Sequence, residues 1–150
     1  MPGPIIPEIP FRAVYFDCDS TLSRIEGIDE LLSHLPEHEQ EELRALTRRA
    51  MDGEVALQEV YGKRLDAARP SREQLARLGR LYVEQMVPGA REVIAALLAL
   101  QKEVGIVSGG LKPAVDALGS ALSLSPAHVH AVDVSFDAAG EYAGFDPSSP

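Results

Sequence analysis

Phe11-Arg12-Ala13-Val14-Tyr15-Phe16-Asp17-Cys18-Asp19-Ser20-Thr21 is the stretch that decides the fold. Its first six residues form a short, β-prone and largely apolar run, and the next five break it with polar side chains. That is the pattern of a buried strand ending in a polar loop. The same punctuation recurs downstream: Lys102-Glu103-Val104-Gly105-Ile106-Val107 reads as a second short strand, followed by Ser108-Gly109-Gly110. His128 to Val132 reads as a third strand. Val134 to Asp137 and Glu141 to Phe145 read as a hairpin turning at Ala138-Ala139-Gly140.

Helical periodicity fills the intervals. Ile28, Leu31, Leu32 and Leu35 recur at helical spacing until Pro36 interrupts them. Glu37 to Met51 is charged, with Leu43 and Leu46 on one face, and Gly53 to Leu65 follows. Ser71-Arg72-Glu73-Gln74 is a capping box that opens another amphipathic helix. Ala90 to Gln101 and Lys112 to Leu122 complete the set. Strands alternating with helices imply an α/β fold with a parallel sheet and right-handed crossovers. Ligands in such sheets bind beyond the carboxyl ends of the strands. Both polar punctuations fall at predicted strand ends, so two separate motifs point to one face.

The composition narrows the partners. The chain has 150 residues, 45% of them apolar, enough for one domain with a real core. Its formal net charge is -9, from 23 acidic and 14 basic residues, which argues against nucleic acid or an anionic membrane as the main partner. Cys18 is the only cysteine, so no intramolecular disulfide forms and an oxidising compartment gains no support. The opening Met1-Pro2-Gly3-Pro4 has no basic region of a signal peptide, and Val93 to Leu100 is far shorter than the roughly 20 residues of a bilayer span. A cytoplasmic protein is the expectation.

The acidic loop carries the candidate chemistry. Two carboxylates two residues apart on an extended chain share a face, and a turn after Cys18 brings Asp17 and Asp19 together. A shared cation then offsets their repulsion, and magnesium suits carboxylate, carbonyl and water ligands while leaving room for a phosphate. Asp17 is placed to attack phosphorus, and Asp19 to protonate the departing alcohol and then deprotonate water. The hydroxyls of Thr21 and Ser108, with the amides of Cys18, Asp19 and Gly109, offer donors to phosphate oxygens. Read alone, the same residues also make an acidic turn capped by Ser20 and Thr21. Cys18 and Arg24 satisfy the spacing of a cysteine phosphatase, but two flanking carboxylates oppose a thiolate, so Cys18 reads as a small buried residue.

D-C-D-S-T-L (17–22), E-G-I-D-E-L (26–31), T-R-R-A-M-D-G (47–53), V-P-G-A-R-E (87–92), I-V-S-G-G (106–110) and E-Y-A-G-F-D (141–146) together resemble phosphoserine phosphatases of the haloacid dehalogenase superfamily. The resemblance runs in order from about Phe11 to Asp146. It implies a Rossmann-like core over 11–25 and 83–150, a helical cap inserted over 26–82, and an extended lead-in over 1–10. It implies magnesium-dependent hydrolysis of O-phosphoserine through an aspartyl phosphate, in the service of serine biosynthesis. Asp17 would be nucleophile and metal ligand; Asp19 would be general acid/base and ligate the metal through its carbonyl. Ser108 and Gly109 would bind phosphate, Glu26 the substrate's ammonium, Arg64 its carboxylate, and Met51 would line the pocket.

Past E-Y-A-G-F-D the family pattern continues to a phosphate-binding lysine and a strand ending in G-D-G-x-x-D, whose first Asp is a third metal ligand. Neither is found here, and Lys63, Lys102 and Lys112 are the only lysines. The resemblance therefore implies a core whose last strands are missing, with Phe11 to Phe16 on an open apolar edge that invites self-association. The alternative function is an impaired, truncated homologue that acts through binding.

Overall fold

A computed structural model describes residues 11–149. The expected lead-in over 1–10 lies outside the described residues. Three parallel strands, β1 (Ala13–Phe16), β2 (Glu103–Leu111) and β3 (Val129–Val132), form a sheet in the order β1-β2-β3. The α/β class and the parallel sheet are as the alternating pattern requires. Tyr15 pairs with Gly105 and Phe16 with Ile106, so β1 and β2 run in register toward the same end. An antiparallel pair, β4 (Val134–Phe136) and β5 (Tyr142–Phe145), is the predicted hairpin.

Among the described residues six α-helices accompany these strands: α1 (Gly27–Leu32), α2 (Glu37–Met51), α3 (Leu57–Ala68), α4 (Arg72–Glu84), α5 (Ala90–Ala99) and α6 (Lys112–Ala121). The capping box opens α4 as read: the Ser71 hydroxyl accepts from the Gln74 amide at 3.2 Å, and the Gln74 side chain accepts from the Ser71 amide at 2.8 Å. α4 crosses α6 closely. The crossing needs Gly79, because a Cβ there would lie 2.7 Å from that of Ala117.

The core is one apolar cluster joining the sheet, α6 and the helices of the 27–84 segment. Ile106, Leu111, Val115, Leu118, Leu65, Leu75 and Tyr82 are essentially without solvent contact. A fully buried leucine or isoleucine contributes about 1.5–3 kcal/mol, so this cluster dominates the fold's stability.

One boundary differs from the sequence reading. Ser108-Gly109-Gly110 is not a loop after the second strand, because β2 continues through it to Leu111. The extension is possible because the Ser108 hydroxyl accepts the Gly110 amide at 2.9 Å while the β2–β3 register shifts between Val107 and Leu111. Among the described residues β1 has β2 as its only strand neighbour. Among the described residues no helix is long and apolar enough to cross a membrane.

Candidate active site

β1 delivers Asp17 to the carboxyl edge of the sheet, where the backbone is still extended (φ -73°, ψ 159°). The chain then turns tightly through Cys18–Leu22, with Ser20 in the left-handed region at φ 53°. Cys18 and Leu22 are buried and anchor this turn in the core, leaving the residues between them at the surface. Asp17 and Asp19, at the two ends of the first step of this turn, line the same cleft of about 250 Å³. Glu26, Ile28, Asp29, Tyr61, Arg64 and Gly109 complete its wall. A larger cavity of about 530 Å³ adjoins it, sharing Tyr61 and Gly109. The Tyr61 hydroxyl donates to the Gly109 carbonyl at 2.6 Å and ties α3 to β2 between the two.

Asp17 is exposed, and its Oδ1 accepts the Cys18 amide at 2.7 Å. Asp19 is half-buried. Its Oδ1 accepts the Tyr82 hydroxyl at 2.6 Å and the Gly27 amide at 3.0 Å. Burial pushes the Asp19 carboxyl above its ordinary value of 3.8, and the two hydrogen bonds only partly oppose this. The protonated form of Asp19 is therefore favoured by folding. Its stabilising contribution is full below 3.8, is lost as pH rises through the raised folded value, and leaves a penalty near neutrality. Asp19→Asn should consequently raise the melting temperature by a few degrees at pH 7 in EDTA, with the gap closing as pH falls toward 4. Equal gaps at both pH values would contradict this.

Glu26 accepts a hydrogen bond from the Ser20 hydroxyl at 2.6 Å, which fixes it over the turn. Arg64, on α3, has its side chain only 19% exposed and is paired with Asp29 of α1. Gly109 sits at the cleft with nothing within 4 Å of where a Cβ would be. The methyl group of Gly109→Ala would therefore meet no atom of the fold, and thermal melts should show unfolding unchanged.

Two expected site residues stand apart. Ser108 is 3% exposed and does not line the cleft, because β2 carries it into the core. Met51 is 77% exposed and does not line the cleft. It ends α2, a charged helix with no fully buried residue, so its side chain has no apolar layer to enter. Lys112 does not face the cleft either: its Nζ donates to Asp116 and to the Val129 carbonyl, both at 3.0 Å. Cys18 is completely buried, and burial, then Asp19 and Asp17, push its thiol up, which removes it as a nucleophile.

Asp29, Tyr61 and Tyr82 are the members that the sequence reading did not single out. The tyrosines sit at core spacing on amphipathic helices and resemble packing residues. Asp29 lies inside the quoted E-G-I-D-E-L run, but only its ion pair with Arg64 marks it.

Among the described residues no group of three or more His, Cys, Asp or Glu side chains could hold a metal. Asp17 and Asp19 bring carboxylates to the cleft, the donor type of magnesium, which binds through one or two carboxylates, keeps several waters and shares its shell with substrate phosphate.

The model of the haloacid dehalogenase-like hydrolases matches residues 11–147. The phosphoserine phosphatase of Homo sapiens is 38% identical over 138 residues, covering 92% of this chain and 60% of that protein. The chloroplastic phosphoserine phosphatase of Arabidopsis thaliana is 31% identical over 139 residues, covering 93% and 46%. The chain thus spans at most 60% of the length of these relatives. Among solved structures, a phosphoserine phosphohydrolase-like protein from Francisella tularensis shares the fold with a TM-score of 0.76 at 23% identity, over 91% of this chain and 64% of that one. A phospho-aspartyl intermediate analogue of phosphoserine phosphatase matches with a TM-score of 0.65 at 27% identity, over 87% and 60%.

Proposed function

The chain belongs to the haloacid dehalogenase-like hydrolases, and from that premise we propose that it hydrolyses O-phosphoserine in a magnesium-dependent reaction through an aspartyl phosphate on Asp17. The observation that carries this reading is that Asp17 and Asp19 share one cleft with Glu26 and Arg64. These are the groups that a phosphate ester bearing an ammonium and a carboxylate requires. The likeness to phosphoserine phosphatases at 38% identity supports the same substrate.

Asp17 uses the oxygen not held by the Cys18 amide to attack phosphorus. The bond from phosphorus to the serine oxygen breaks, and Asp19 gives that oxygen a proton. Water then attacks the aspartyl phosphate and loses a proton to Asp19, so one water is consumed and serine and phosphate leave. Magnesium, when bound by the Asp17 carboxylate and the Asp19 carbonyl, supplies positive charge beside the phosphoryl oxygens. Glu26 takes the ammonium. Arg64 has five donors, of which Asp29 uses only part, so the rest serve the carboxylate. The single, buried cysteine is in keeping with the cytoplasmic setting that we place with this activity.

The test is phosphate release from phosphoserine and from phosphoethanolamine, which lacks the carboxylate, with magnesium and with EDTA. Magnesium-dependent release that favours phosphoserine about tenfold or more, and loses the preference in Arg64→Ala, is expected. A second reading, binding without turnover, is favoured by the engaged Lys112 and by the lack of a third metal ligand among the described residues. Folded protein that binds phosphoserine but releases no phosphate would establish it.

A further inference from the structure

Tyr82 lies on α4, distant in sequence from both aspartates, and is fully buried. Its hydroxyl nevertheless reaches the acidic turn and donates to Asp19 Oδ1 at 2.6 Å. The Gly27 amide, at the first turn of α1, donates to the same oxygen at 3.0 Å. Both donors fall on Oδ1, and no donor among the described residues is bonded to Oδ2. The approach depends on the glycine: a Cβ at Gly27 would lie 2.0 Å from the Tyr82 oxygen and 2.9 Å from the ring carbon that bears it. A Cβ at Gly110, on β2, would lie 3.3 Å from the same hydroxyl. Four parts of the fold (the acidic turn, α1, α4 and the end of β2) thus meet around one buried oxygen.

We propose that Tyr82 is a positioning residue that, with the Gly27 amide, clamps Asp19 through Oδ1 and thereby reserves Oδ2 for proton exchange in the cleft. The inference rests on the role given to Asp19 above. Without the clamp the carboxylate turns about its side-chain bonds, and the oxygen that must meet the departing alcohol is no longer held in line. A misplacement of this kind costs the step that needs the proton and spares the one that does not.

Tyr82→Phe removes one oxygen and keeps the buried ring. Two measurements on it decide the matter. The first needs no turnover: the crystal structure of the variant, with the chemical shift of the Gly27 amide, should show the Asp19 carboxylate rotated or spread over rotamers. An unmoved Asp19 with an unchanged Gly27 amide would overturn the proposal. The second is single-turnover cleavage of phosphoserine beside 4-nitrophenyl phosphate, whose leaving group departs without a proton. Phosphoserine cleavage should slow by about 10–100-fold, part of what a general acid supplies, with 4-nitrophenyl phosphate nearly unaffected. An equal loss on both substrates would mean a merely structural role, and no loss on either would mean none. If the unaltered protein cleaves neither substrate, the catalytic reading fails by that result, and the orientation of Asp19 in the variant still judges the clamp.

Discussion

Asp17→Asn should abolish phosphate release from phosphoserine, with a loss of about 10⁴-fold or more, as is typical when a nucleophile is removed. The carboxamide matches the carboxylate in shape, and its oxygen can still accept the Cys18 amide that Oδ1 now accepts. Asp17 is exposed, so the substitution leaves no buried group unsatisfied and the fold should be unchanged. The binding prediction has the opposite sign. Four carboxylates, Asp17, Asp19, Glu26 and Asp29, line the cleft against a single guanidinium, Arg64. Removing one negative charge lessens repulsion of the substrate phosphate, worth about 1 kcal/mol for a unit pair at 4 Å in water and more in a partly dry cleft. In EDTA, calorimetry should therefore show Asp17→Asn binding phosphoserine more tightly than the unaltered chain, while turnover is gone. Release that persists would remove Asp17 from the chemistry.

Gly105→Val is the second large effect, and it falls on the fold. Gly105 is the third residue of β2, beside Tyr15 of β1. A Cβ there would sit 2.3 Å from the His128 carbonyl oxygen and 2.4 Å from the Tyr15 ring. The ring crosses this position to place its hydroxyl 2.6 Å from Glu103. Valine has the higher strand propensity, a gain of at most about 1 kcal/mol. Overpacking opposes it with about 3 kcal/mol, because the His128 oxygen belongs to the backbone just before β3 and yields only if that backbone shifts. The clash wins. Chemical denaturation should give a midpoint lowered accordingly at an unchanged slope. A midpoint equal to that of the unaltered chain would show that β2 does not pack as described.

The alternation of apolar runs with helical periods determined the α/β class, the parallel sheet and the hairpin, because burial imposes period 2 or 3.6 on the residues themselves. The break from Phe16 to Asp17 determined which edge of the sheet carries the acidic turn. The resemblance carried by the quoted motifs named Glu26 and Arg64, which local pattern alone leaves as ordinary surface residues. Contacts between distant segments were decided only by the tertiary structure. The ion pair of Asp29 with Arg64 spans two helices, and the Tyr82 hydroxyl reaches Asp19 across 63 positions. Tyr82 has the spacing of a core residue, and nothing local distinguishes a buried ring that only packs from one whose oxygen meets a carboxylate. Ser108 and Met51 show the converse: a motif gives their identity, but the extension of β2 and the surface position of α2 decide whether they face the cleft. Periodicity is a property of neighbours in the chain, whereas a site is assembled from side chains that folding alone makes neighbours.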